Sequence, residues 1–129
     1  MATRKITFDP DAGVPVASNL TIYGNSDFNT QFNVVDVANV GYGFTDGWSI
    51  SSQMIKSAGI GATTVPTATF NAGINTITNS ITLNLPKANT GLITEGRYEY
   101  NVLVSSGVGT VYNIINGNIL VYPGISSAP

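Results

Sequence analysis

Residues 95–107 read "EGRYEYNVLVSSG". The run holds both glutamates of the chain, one of its two arginines, and two tyrosines two positions apart. Arg97, Glu99 and Asn101 alternate with Tyr98, Tyr100, Val102 and Val104. A period of two sends successive side chains to opposite faces of an extended chain. The charged residues are therefore the wet face of a strand rather than a convergent catalytic set, and Tyr98, Tyr100 and Val102 point into a core. Arg97 and Glu99 share the outward face, where a surface ion pair is worth well under about 1 kcal/mol.

The same alternation recurs between turn signals along the whole chain, and no long helical period competes with it. It predicts strands over 4–8, 19–23, 27–35, 47–55, 66–71, 75–85, 97–104, 109–115 and 117–122. Phe28, Phe32 and Val34 share one face, as do Trp48, Ile50 and Met54, and Ile81, Leu83 and Leu85. One sheet face meets a core and the other meets water. Short strands of this kind predict an all-β fold, an immunoglobulin-like two-sheet antiparallel sandwich. Its expected core is Phe28, Phe32, Trp48, Ile50, Leu83, Tyr98, Tyr100 and Val102, with Trp48 at the centre.

Three connections are legible. "SSGVG" at 105–109 is a glycine-bearing hairpin loop, and "NG" at 116–117 is a turn or bulge between two strands. A short helical turn is expected near 86–94, opened by Pro86 and ended by Gly96. A helical crossover followed by a tyrosine-led strand is the corner of immunoglobulin-like domains, so Tyr98 or Tyr100 is expected to bond back to it.

At 129 residues the chain is expected to be one domain, with 1–17 as an N-terminal arm and first strand and 123–129 as a tail. There is no cysteine and no histidine. That excludes disulfides, thiolate metal sites, a cysteine nucleophile, and the usual general base and metal ligand. Only 9% of residues are charged, with a net charge of −2, so there is no electrostatic footprint for nucleic acid. No run reaches the roughly 18–20 apolar residues of a membrane helix, and the first residues lack the apolar segment of a secretory signal. Asn19-Leu20-Thr21 matches a glycosylation acceptor by chance.

Candidate sites are thin. Asp9 and Asp11 stand two apart before a glycine, like the start of a calcium loop, but the third oxygen ligand and closing glutamate are missing. An Asp-Pro turn explains them better. "GYGFTDG" lacks the Gly-Lys-Ser/Thr phosphate cradle and a following helix, and Glu95 and Glu99, four apart across a glycine and into a strand, need not face each other as glycosidase carboxylates must. No enzyme activity, cofactor or metal is expected. Tyr23, Tyr42, Phe44 and Trp48 could stack on sugar rings, although packing within a sandwich accounts for them more simply.

The blocks "DGWSISSQMIKS", "ITLNLPKANTGLITEGRYEYNVLVSS" and "VYNIINGNILVYPGISSAP" resemble small virion structural proteins of tailed phages, most of all those of contractile-tailed phages of marine cyanobacteria. The similarity extends more loosely to the immunoglobulin-like N-terminal domain of phage baseplate upper proteins. Gly47, Trp48, Gln53 and Lys56 match one strand motif; Gly96, Arg97, Tyr98, Tyr100 and Val102 match a second; Gly117 and Val121 match the closing strand. Asn101 replaces a usual aspartate, and Asn116 a usual glutamate. The resemblance covers about residues 3–129 and brings no catalytic residue. It implies a virion structural protein, a capsid decoration or cement protein in the favoured reading. Its partners are then other virion proteins, the major capsid protein first and tail or baseplate proteins as the alternative, with a homo-oligomer on the particle compatible. A neck, tail or baseplate accessory protein is the second reading, and a host-glycan-binding module displayed on the virion the third.

Ile6, Phe8, Val14, Val16, Ile60, Val65 and Ile125 fall outside the central strand pattern. The terminal segments and the 56–66 loop that carry them are therefore the expected docking elements, with salt having little effect on the contact.

Overall fold

The structure, a computed structural model, describes residues 2–44, 47–56 and 68–123. Ten strands and one helical turn follow in order: β1 (Ala2–Thr7), β2 (Val16–Ala17), β3 (Leu20–Tyr23), β4 (Phe28–Val35), β5 (Ser49–Lys56), β6 (Ala68–Thr69), β7 (Asn71–Asn75), β8 (Ser80–Leu85), α1 (Lys87–Thr90), β9 (Gly96–Ser105) and β10 (Val111–Tyr122). They form two sheets. One has the order β1-β4-β8-β7; the other runs β2-β10-β9-β5-β6, with β3 also on β10.

β9 is the strand read from "GRYEYNVLVS". Tyr98, Tyr100, Val102 and Val104 are buried while Arg97 and Glu99 are exposed. It lies between β10 and β5, antiparallel to both. Phe28, Phe32 and Val34 on β4, and Ile81, Leu83 and Leu85 on β8, face it from the other sheet and complete the core. The order β4-β8-β7 against β5-β9-β10 is that of strands B-E-D and C-F-G in an immunoglobulin sandwich. The Tyr98 hydroxyl donates to the Thr94 carbonyl at 2.5 Å, the bond expected at such a corner.

The sheets are mixed rather than antiparallel. β1 runs parallel to β4, and β2 and β3 run parallel to β10. After β1 the chain crosses to the other sheet, descends along β10 as β2 and β3, and crosses back into β4. A period of two records which face is buried, but not which neighbour a strand takes or in which direction.

Three boundaries and one burial reading differ from expectation in ways that bear on the core. Residues 75–85 are a hairpin, not one strand: the Asn75 Oδ1 accepts from the N–H groups of Ile77 and Thr78, and Asn79 turns the chain with φ 53°. Residues 111–122 are one strand with an irregularity between Asn113 and Ile115, so Asn116-Gly117 is no turn. The helical turn ends at Gly91, and Gly96 instead opens β9. Trp48 and Ile50 are half-buried, not central. Trp48 precedes β5, in the link from β4, and so lands at the end of the sandwich. There its ring lies 5.3 Å from Phe44 and 6.2 Å from Tyr112, while Phe8 meets Tyr42 and Tyr112. These rings close the gap between the sheets.

Candidate functional site

Three carboxylates among the described residues hold turns or a helix start. The Asp9 Oδ1 accepts from the Asp11 N–H, and the Asp36 Oδ1 from those of Ala38 and Val40. The Asp27 Oδ1 accepts from the Lys87 N–H at the start of α1. Short acidic side chains favour these local bonds because they mimic a backbone turn. Arg97 and Glu99 share a face, as their spacing requires, but stand in successive rows opposite Leu120 and Asn118.

Tyr98 and Tyr100 are both buried, and burial raises the pKa of each phenol. Tyr100 is pushed up to about 12 by burial, with Ser18 and the Arg4 charge pulling the other way. Its hydroxyl donates to the Ser18 carbonyl at 2.6 Å, and the Ser18 N–H donates to the Asn116 carbonyl at 2.8 Å. The link between β2 and β3 is thereby pinned to β9 and β10.

The expected docking residues separate. Ile6 and Phe8 are not available to a partner: β1 lies beside β4, its alternation turns both inward, and both are buried in the core. Val16 is half-buried on β2, opposite Ile115. Val14 is exposed. Ile60, Val65 and Ile125 lie outside the described residues.

Sequence reasoning missed other exposed apolar side chains. Val37 and Val40 stand in the β4–β5 link, Ile77 in the β7–β8 turn, and Val108 in the β9–β10 turn, with Ile77 89% and Val108 90% exposed. The strand directions bring all three connections, and the β1–β2 link that carries Val14, to one end of the sandwich. Gly47 and Gly107 nearly touch there, and Phe8 bonds to Val35. Part of the signal was present in the sequence: Val14, Val37, Val40 and Val108 each adjoin Asp, Asn or Gly, and Ile77 lies between Asn75 and Asn79, residue types that favour turns. Asp9, Asp11 and Asp36 stand at the same end, whereas Lys56, Lys87 and Arg97 belong to the other.

The four aromatic residues weighed for sugar stacking also part company. Tyr42, Phe44 and Trp48 are in the ring cluster at the loop end. Tyr23 points outward from β3 and stacks on Tyr122 of β10, centroids 5.4 Å apart. On the same outer side of that sheet, over β5, β9 and β10, lies an open trough of about 540 Å³.

Fold and surface together define a two-sheet β-sandwich with polar but sparsely charged faces and an apolar loop end. Among solved structures the chain is similar to the N-terminal domain of phage TP901-1 ORF48, at 10% identity and TM-score 0.56, over 94% of this chain and 98% of that one. An internalin-like protein of Listeria monocytogenes matches at 15% identity and TM-score 0.45, over 92% of this chain and 30% of that one. The BSR4 antigen of Toxoplasma gondii matches at 15% identity and TM-score 0.37, over 84% and 45%. No protein-family model and no curated protein matches the sequence.

Proposed function

We propose that this chain is an immunoglobulin-like structural protein of a phage particle, attached to its neighbours through the loop end of the sandwich. The likeness to a phage protein's N-terminal domain, over nearly the full length of both chains, carries the reading. The sequence motifs around Trp48, Tyr98 and Gly117 support it from a separate direction. The surface supports a partner: five aliphatic side chains, Val14, Val37, Val40, Ile77 and Val108, stand exposed at one end. Apolar side chains gathered on a surface favour association with another protein.

Capsid decoration is the favoured role within that reading, since a small domain with exposed aliphatic loop tips gathered at one end can be added in many copies to a lattice. An accessory position in the neck, tail or baseplate is the second reading, and the phage likeness supports it equally. Quantitative mass spectrometry of purified virions, and of separated heads and tails, tests both. Hundreds of copies in the head fraction are expected. A handful of copies in the tail fraction would move the assignment to tail or baseplate, and absence from purified particles would overturn the virion reading.

A further inference from the structure

The two sheets treat their outward carboxamides differently. On the four-stranded sheet they are bonded to one another: Gln31 to Asn33 at 2.9 Å, and Asn71 to Asn84 at 3.1 Å. On the six-stranded sheet they are not. Asn116, Asn101 and Gln53 stand directly opposite one another on β10, β9 and β5, and Asn118 and Glu99 form the next row. Gln53 reaches Thr69 at 3.3 Å. The carboxamides of Asn101, Asn113, Asn116 and Asn118 make no hydrogen bond among the described residues. All of these residues line the trough of about 540 Å³, a volume within the ordinary range of small-ligand sites, about 300–1,000 Å³.

We propose that this trough binds a neutral oligosaccharide. A free carboxamide offers two donors and an acceptor oxygen. A sugar hydroxyl is donor and acceptor at once, so neighbouring hydroxyls can answer a row of amides in both senses. Amides about 4.8 Å apart within a row, and rows about 6.8 Å apart along the strands, suit a ligand with polar groups along its length. Glu99 is the one charged side chain in the lining, and there is no cation among the lining residues to hold a sulfate, carboxylate or phosphate. The stacked pair Tyr23 and Tyr122 lies on the same outer face, four residues along β10 from Asn118, or about 13 Å. Two flat exposed rings there offer a separate apolar surface for a sugar ring, beyond the intervening row of Leu120 and Arg97. Water satisfies the amides in the free chain, so only the excess over hydration contributes and the affinity is millimolar. The site is distinct from the loop end and does not depend on the particle assignment.

The test uses the ¹⁵N-labelled full chain titrated to millimolar concentrations with maltohexaose, cellohexaose and chitotetraose, and with dextran sulfate as the anionic comparison. At least one neutral probe should shift resonances of β5, β9 and β10, including side-chain amides, while dextran sulfate does not. The double variant Asn101→Ala/Asn116→Ala should lose tenfold or more in affinity, and Asn33→Ala/Asn71→Ala on the other sheet should lose none. Asn118→Lys, at an exposed position, serves where the double variant melts early and should also weaken binding. The proposal is overturned by no shifts with any neutral probe, by shifts confined to another face, by preference for dextran sulfate, or by unchanged affinity in the trough variants.

Discussion

The hydroxyls of Tyr98 and Tyr100 sit two residues apart on β9 and brace different parts of the molecule. Tyr98 ties the corner before its own strand, and Tyr100 reaches across to Ser18. Because burial holds the folded-state pKa of Tyr100 near 12, above the usual value of about 10, the folded chain favours the neutral phenol. That stabilisation is complete below about pH 10 and is lost as pH rises through about 12; a two-unit shift corresponds to about 2–3 kcal/mol. Tyr100→Phe should therefore be less stable than the parent at pH 8 by about 1 kcal/mol, from the lost hydrogen bond. The gap should close or reverse by pH 12 in urea denaturation, and a gap independent of pH would refute this account. Thr30 is the opposite case. It is buried on β4, and its hydroxyl has no partner among the described residues. Replacing an unanswered buried hydroxyl by a methyl of the same shape removes a desolvation cost. Thr30→Val should raise stability by about 1 kcal/mol, read as a higher urea midpoint at unchanged slope.

At the scale of elements, β10 shows what the sequence could and could not disclose. Asn116-Gly117 carries a strong turn signal, yet the glycine serves a close approach. A Cβ on Gly117 would run into the Ser18 carbonyl oxygen, where the β2–β3 link crosses β10. Nothing local to the dipeptide records that a segment almost a hundred residues upstream lies against it. Gly117→Ala should cost about 1–3 kcal/mol, as overpacking does, and should raise hydrogen exchange in β2 and β3 before the rest of the fold. Normal stability with unchanged exchange would sink the close-approach argument. β9 was legible because both its faces follow a strict alternation and it is central on both sides. The place of β1 was not, because Ile6 and Phe8 lie in a short run without neighbours to fix its sheet. The Trp48 error is of the same kind: residue type marks it as buried, but its position before β5 sets how deeply. Phe32→Ala, at a fully buried site, should cost about 3–5 kcal/mol, whereas Trp48→Ala should cost roughly 2. Equal losses in thermal midpoint would mean that the ring cluster at the loop end is as much a core as the space between the sheets. The candidate trough was invisible for a further reason: its row of Asn116, Asn101 and Gln53 exists only through cross-strand register.

For the whole molecule, the two ends differ in kind. One end carries α1, the Tyr98 corner and both signs of charge; the other carries aliphatic loop tips with three aspartates among the described residues. Removing residues 1–17 cannot test docking, because it deletes β1 and takes Ile6 and Phe8 from the core. Such a chain should lose stability before it loses any partner. Substitutions at the tips separate the two effects. Ile77 and Val108 contribute almost nothing to the core, so Ile77→Asp and Val108→Asp should leave the melting temperature nearly unchanged. Each also places a charge where a partner surface would have to desolvate it. Added to particles lacking the protein, the double variant should bind at least tenfold more weakly than the parent. Parent binding should change little between low and high salt, since the contact is apolar at its centre. Full binding by the double variant would move the attachment surface away from the loop end, and release by moderate salt would replace apolar docking with an electrostatic contact.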